Sequence, residues 1–287
     1  MTRFLKGHGT ENDFILLPDF AHTDPAAELP PLTAPQVRRL CDRHAGIGAD
    51  GVLRVVPVGA STEAEGLATG DARWFMDYRN ADGSVSEMCG NGARLFARYL
   101  LDASLERGPA FELATRGGNR RVSLTAAGEV CVDMGPATAG VASTAWVDGE
   151  EFPGRQVSMT NPHLVCITDV DVRQLDLSHQ PGVDETLFPD GVNIEFVNYV
   201  STDELVHVRM RVHERGVGQT QSCGTGACAV AAQALAGTGR DRGEVLVEVL
   251  GGQLRVSVTP ATTVLAGPAV FVASGEINSD WWAAASG

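Results

Sequence analysis

Two cysteines in this sequence are set for acid–base chemistry. Cys89 begins CGNGARLFARYL and Cys223 begins CGTGACAVAAQAL, so each precedes Gly-X-Gly-Ala and an apolar, helix-like run. Each Gly-X-Gly marks a loop entering a helix. The first N–H groups of a helix have no internal partner and point outward, and the helix dipole adds partial positive charge at that end. Together they make an anion site that glycine lets a ligand approach closely. A cysteine placed there has its thiolate stabilised, its pKa falling from about 8.5 to roughly 3.5–7.5. Two such sites facing one carboxylate put a thiol on each side of the carbon that bears it. One thiolate removes a proton from one face and the other thiol delivers a proton to the opposite face. That is stereochemical inversion without a cofactor, with the developing enolate held by preorganised N–H donors.

The sequence must hold those two helices in matching surroundings, and it does so by repetition. GGNRRVSLT begins at Gly117 and GGQLRVSVT at Gly251, the same spacing of 134 residues that separates Cys89 from Cys223. One motif pair could arise by chance; two at one offset could not. A looser match joins Asn12-Asp13-Phe14 to Asn161-Pro162-His163, so the first half carries extra residues upstream of its cysteine. The Pro/Ala-rich stretch from Pro18 to Pro35 and PVGASTEAEGLATGD from Pro57 read as that surplus, as surface loops.

Short alternating runs predict strands at FILLP, GVLRVVPV, RWFMDY, FELAT, RVSL, EVCVDM, HLVCIT, VNIEFVNYV, LVHVRMRVH, EVLVEV, LRVSVT and VFVAS. Helical patterns are fewer: PQVRRLCDRH and the stretches after the two cysteines. The second of these is apolar all round, which places it inside the core. The fold class is α+β: two pseudo-symmetric domains, each a highly curved, mostly antiparallel sheet or barrel around one central helix.

Composition narrows the function. The chain has 287 residues and a net charge of −14, which argues against nucleic acid and anionic membrane as partners. No stretch has the length of a membrane span, and MTRFLKGHGTENDF lacks the apolar core of a signal peptide, so a cytoplasmic location is expected. Lys6 is the only lysine, a poor candidate for the Schiff base of pyridoxal phosphate, so no cofactor is expected. No CxxC pair occurs and no metal is expected. Free thiols are expected throughout, with Cys41, Cys131, Cys166 and Cys228 as structural residues.

The sequence closely resembles the diaminopimelate epimerase family, the cofactor-independent two-cysteine amino-acid epimerases. The resemblance covers nearly the whole chain and rests on GHGTENDF at Gly7, NADGSVSEMCGNGAR at Asn80, NPH at Asn161, VNIEFV at Val192 and ERGVGQTQSCGTGA at Glu214. It implies conversion of LL-2,6-diaminopimelate to the meso isomer, in lysine and peptidoglycan-precursor synthesis. Cys89 and Cys223 are then the acid/base pair, Cys89 facing the α-proton of the LL substrate. The backbone at Gly90, Asn91, Gly224 and Thr225 holds the reacting carboxylate. Asn12, Asn80, Asn161, Asn193 and Arg215 match positions that bind this diamino-dicarboxylate substrate, and Glu214 and His163 match groups that set thiol protonation. The resemblance further implies a homodimer, and domains at 1–134 plus 270–287 and at 135–269 with the active site in the cleft between them. Three residues depart from the family pattern: Glu11 where glycine is common, Gly51 where many members have a substrate-contacting glutamine, and Leu95 for a frequent cysteine. The competing readings are a proline racemase-like enzyme of the same fold, disfavoured by NADGS and ERG, and a non-enzymatic thiol redox sensor.

Overall fold

The computed structural model of the chain describes residues 2–18, 32–67 and 70–283. They fall into two compact units, Met1–Val132 with Pro268–Gly287, and Asp133–Gly267. In the first, β1 (Thr2–Gly9) and β2 (Asn12–Leu17) form a hairpin. Its turn holds Thr10 at φ 49° and Glu11 at φ 60°, the positive backbone angles that a type I′ hairpin turn needs at both central residues. Glu11 thus occupies a conformation that favours glycine, and its N–H donates to His8 Nδ1 at 3.2 Å. Helix α1 (Ala34–Cys41) starts at a capping box of Thr33 and Gln36. Strand β3 (Gly51–Pro57) runs parallel to β2. After a 3₁₀ turn at Val58–Ala60 and α2 (Thr62–Leu67), β4 (Trp74–Asn80) returns antiparallel to β3. Helix α3 (Gly90–Asp102) packs against β1 to β4. Strand β5 (Ala110–Ala114), parallel to β4, then leads into the meander of β6 (Arg120–Leu124) and β7 (Val130–Gly135).

The second unit runs through the same scheme. Strands β8 (Thr138–Val147) and β9 (Glu150–Ser158) form a hairpin, and β10 (Pro162–Ile167) joins β9 antiparallel and β11 (Asn193–Ser201) parallel. Strand β12 (Val206–Glu214) is antiparallel to β11, and the short β13 (Gly218–Thr220) folds back on it. Helix α4 (Gly224–Gly237) is buried on nearly every side and packs against β9 to β12. Strand β14 (Gly243–Val249), parallel to β12, leads into β15 (Gly252–Val258) and β16 (Thr263–Gly267). The chain ends back in the first unit, where β17 (Val270–Ile277) pairs with β1 and α5 (Ser279–Ala283) follows. Trp281 and Trp282 pack there against the cluster of Ile15, Leu17, Val37 and Leu40, with the Arg39 guanidinium 4.4 Å from the Trp281 ring.

Register makes the repeat residue-specific. Phe14 pairs with Gly51 as His163 pairs with Asn193, and Leu53 pairs with Tyr78 as Glu195 pairs with Val212. Equivalent places are therefore held by Asn12 and Asn161, Phe14 and His163, Leu53 and Glu195, Asn80 and Glu214, Cys89 and Cys223, Gly92 and Gly226. Strand β8 stands to β9 as β17 stands to β1. So the last strand of each sequence half joins the unit of the other half.

Several elements differ from the sequence reading. PVGASTEAEGLATGD, expected as a loop, contains the 3₁₀ turn and α2. Of the Pro18–Pro35 stretch, residues 19–31 lie outside the described residues, and its end is already the first turn of α1. Strands β1, β8, β9, β13 and β16 have no counterpart in the predicted list. Most residues of β8 are exposed or half-buried, and a strand covered on neither face by core lacks the alternation that marks strands in sequence. Among the described residues no helix is long and apolar enough to cross a membrane.

One buried charge cluster ties β3, β4 and the segment after β5 together. The Asp77 carboxylate accepts from Arg54 Nε at 2.9 Å, Arg79 Nε at 3.1 Å and Arg116 Nη2 at 2.7 Å. Burial pushes this carboxyl up, but the charges of Arg54, Arg116 and Arg79 outweigh it and hold it below the usual carboxylate range. Asp77→Asn leaves three guanidiniums without their shared anion, and the expected loss is about 3–5 kcal/mol in urea unfolding at neutral pH. Because the folded carboxyl titrates below its unfolded counterpart, its contribution is complete above the ordinary value of 3.8. It fades as pH falls through the lower folded value, so the gap between wild type and variant narrows in acid.

Candidate active site

Cys89 and Cys223 each cap a helix. Their backbones are extended, at φ −137°, ψ 118° and φ −119°, ψ 116°, and helical geometry begins at Gly90 and Gly224. The third helical residue is glycine in both, and at Gly226 a side chain is excluded, since its Cβ would stand 2.5 Å from Glu195 Oε1. A Cβ at Gly92 would lie 3.5 Å from Cys89 Cβ, and one at Gly226 would lie 3.3 Å from Cys223 Cβ. The missing side chains give each sulfur room over its helix end.

Cys89 meets a backbone N–H and an amide oxygen. Gly92 N–H donates to Sγ at 3.4 Å, and Sγ lies 3.7 Å from Asn12 Oδ1. Asn12 also accepts from Asn91 Nδ2 at 3.1 Å and donates to Asp50 Oδ2 at 2.8 Å. Buried Arg94 holds Asn91 Oδ1 at 3.0 Å. Beneath the first turn lie Leu53 and Phe14, whose carbons would meet a Cβ at Gly92 at 3.2 and 3.5 Å. Asn80, at the end of β4, accepts from the Tyr78 hydroxyl at 2.7 Å and donates to Ser84 Oγ at 2.9 Å. The pairing with β4 also accounts for Gly51: a Cβ there would lie 2.6 Å from the Arg79 backbone oxygen and 2.7 Å from the Tyr78 ring. A larger residue at 51 is excluded by that oxygen and by the side chain that orients Asn80.

Around Cys223 the groups are charged. Sγ lies 3.5 Å from Thr225 Oγ1, and Thr225 Oγ1 accepts from Asn161 Nδ2 at 3.4 Å. Asn161 Oδ1 lies 3.1 Å from His163 Nε2, and His163 Nδ1 lies 2.6 Å from Glu195 Oε1. His163 and Glu195 are fully buried. Glu214 accepts from Thr220 Oγ1 at 2.5 Å. Burial pushes the Glu214 carboxyl up, and the neighbouring Glu195 adds to the rise. Burial, then Glu214, then Glu195 push the Cys223 thiol well above its ordinary value. This corrects the expectation of a lowered pKa at Cys223. The helix N-terminus favours the thiolate, but desolvation and two carboxylates outweigh it here.

The structure brings Cys89, Gly90, Asn91, Asn12 and Asn80 to one end of α3 and its strands. It brings Cys223, Gly224, Thr225, Asn161, His163 and Glu214 to the equivalent end of α4. Asn193 is buried and accepts from Arg215 N–H at 3.0 Å. The exposed Arg215 side chain reaches Asp190 O at 3.3 Å. The remaining cysteines are free and buried; burial lifts Cys41 and Cys166 each to about 12 and raises Cys131, which leaves them unreactive. Glu195, Thr220 and Tyr78 were not singled out from sequence. Glu195 did leave a signal: a lone charge in the apolar run VNIEFV needs a buried partner, and His163 is that partner.

A sequence profile described as Diaminopimelate epimerase matches residues 4–140 and 155–272. The chain is 47% identical to the diaminopimelate epimerase of Mycobacteroides abscessus over 98% of this chain and 97% of that one. It is 48% identical to that of Rhodococcus erythropolis over 97% of each. Among solved structures it is similar to a PhzF-family phenazine biosynthesis protein of Bacillus anthracis, with TM-score 0.67 at 17% identity over 96% of this chain and 99% of that one. It is also similar to a hydroxyproline epimerase from Agrobacterium vitis, with TM-score 0.63 at 15% identity over 99% and 97%. These two likenesses show the fold.

The helix-start glycines differ in what lies below them. A Cβ at Gly226 would stand 2.5 Å from Glu195 Oε1, and moving that carboxylate breaks its buried bond to His163. At Gly92 the neighbours are carbon atoms no closer than 3.2 Å. Gly226→Ala is expected to cost about 3 kcal/mol and Gly92→Ala about 1 kcal/mol in urea unfolding. Equal losses would contradict this account of the two sites.

Proposed function

The chain belongs to the diaminopimelate epimerase family, and from that premise we propose that it interconverts LL- and meso-2,6-diaminopimelate by two-thiol proton transfer. The observation that carries the reading is the cysteine-capped helix, present once in each unit at equivalent register. In the LL-to-meso direction Cys89, as thiolate, takes the α-hydrogen. The electron pair moves into the carboxylate, which accepts from N–H groups of Gly90, Asn91, Gly224 and Thr225, the first residues of the two helices. Cys223, as thiol, delivers its proton to the opposite face, and the pair collapses back to carbon. The reading requires both thiols to address one α-carbon.

The surroundings of the cysteines support this division of roles. At Cys89 the Gly92 N–H donates to Sγ, which favours the thiolate, while Asn12 Oδ1 accepts from the thiol; at Cys223 two carboxylates favour the protonated form. Asn12, Asn80, Asn161, Asn193 and Arg215 supply amides and one guanidinium, donors suited to the distal amino-acid end of the substrate. A ligand lacking that end leaves these groups unpaired, which sets the selectivity. The proposal includes a cytoplasmic homodimer and a chemistry that needs no cofactor.

The test is α-hydrogen exchange in deuterium oxide with reduced protein and LL-diaminopimelate, following deuterium uptake and meso product. Wild type is expected to isomerise, and Cys89→Ser and Cys223→Ser each to lose at least about a hundredfold. No exchange by fully reduced wild type would overturn the reading, and exchange of proline in its place would assign a proline racemase-like activity.

A further inference from the structure

The repeat allows each thiol to be compared with its own counterpart, and the comparison isolates two residues. Behind Cys89 the equivalent places are held by Phe14 and Leu53; behind Cys223 they are held by His163 and Glu195. Leu53 shows that this fold is content with an apolar side chain there. Glu195 is nevertheless a carboxylate at 0% exposure. Its Oε1 bonds His163, while its Oε2 is buried with no hydrogen-bond partner. A half-satisfied buried carboxylate opposes stability, so packing does not explain it.

Position explains it. The space left by Gly226 is bounded on one side by Cys223 Cβ and on the other by Glu195 Oε1, so no side chain of the helix stands between the carboxylate and the cysteine there. A second route runs through side chains. The two ring nitrogens of His163 lie between acceptors: Nδ1 faces Glu195 Oε1 and Nε2 faces Asn161 Oδ1, so the ring joins the carboxylate to the amide. Asn161 meets Thr225, and Thr225 meets the Cys223 sulfur, at 3.1, 3.4 and 3.5 Å. We propose that Glu195 is a positioning residue that makes the two thiols chemically unequal: it orients the His163–Asn161–Thr225 line and keeps Cys223 as the neutral acid in the resting protein.

The titratable groups around Cys223 are Glu195 from β11 and Glu214 from β12, with His163 of β10 bonded to Glu195. The buried residues of β14 to β16, among them Val245, Val247, Leu254, Val256, Leu265 and Thr263, carry no titratable side chain. Glu214 has a place in the reaction by its match to the family. Glu195 reaches the thiol from below, through the helix's own first turn.

The inference rests on the two-thiol reading, and its test needs no substrate. Iodoacetamide labelling of Cys89 and Cys223 is followed separately by peptide mass between about pH 6 and pH 10, in wild type and Glu195→Gln. The Cys223 profile is expected to move down by about one pH unit, roughly a tenfold faster labelling near pH 8, with the Cys89 profile unmoved. In turnover, kcat falls, KM stays within about twofold and the pH optimum moves toward acid. A Cys223 profile unchanged by Glu195→Gln overturns the inference while leaving isomerisation in place. A wild type that fails to isomerise but shows the shift sinks the functional reading alone. If Glu195→Gln does not fold, the double variant Glu195→Leu/His163→Phe installs the first unit's own pair without an orphaned partner. It is expected to move the Cys223 profile in the same direction, and an unmoved profile there also overturns the inference.

Discussion

Each capping thiol is followed three positions on by a glycine, and at Gly226 that glycine leaves the space in which Glu195 Oε1 stands. With no Cβ at Gly92 or Gly226, the sulfur sits over the first turn. By the same absence, the first turn is open to the strand beneath. Whatever that strand presents stands a few ångströms from the thiol. The parallel pairs β2–β3 and β10–β11 fix which residues those are, and the burial of α3 and α4 among their strands keeps the helix ends from shifting.

A symmetric scaffold has a chemical difficulty with a two-base reaction. One thiol must be deprotonated when the other is protonated, yet equivalent environments give equal proton affinities. Symmetry is broken at the residues beneath and beside the two caps. Leu53 becomes Glu195, Phe14 becomes His163 and Asn80 becomes Glu214, each at matching register. The first half answers with neutral amides on Cys89 and keeps its acidic group, Asp50, one residue removed behind Asn12. All of this is done with side chains, so the backbones of the two caps stay nearly the same.

Much of this was legible in the sequence, because the repeat and the helix starts are local features. The paired cysteines, their glycines and the offset of 134 residues stand in the sequence itself. The asymmetry was not, because it depends on register. That Glu195 lies under Gly226 follows only once β11 is paired with β10 and β12. Its partner is 32 residues away and the thiol it addresses is 28 away. The lowered pKa expected at Cys223 failed for a related reason. The helix end is a local term that sequence shows, while burial and two carboxylates are tertiary terms that it does not. Gly51 makes the same point at small scale, since Tyr78, which occupies its side-chain space, is brought there by the pairing of β3 with β4.

The unmatched oxygen of Glu195 carries a last consequence. A carboxylate with one oxygen bound and the other bare is poorly solvated, so its field falls on its neighbours instead of being spent on donors. Cys223, Glu214 and Cys166 all respond to it. A second hydrogen bond to Glu195 would make the second unit more stable and Cys223 more like Cys89. On this argument the site trades local stability for a difference between two otherwise equivalent sulfurs, and inversion at carbon needs that difference.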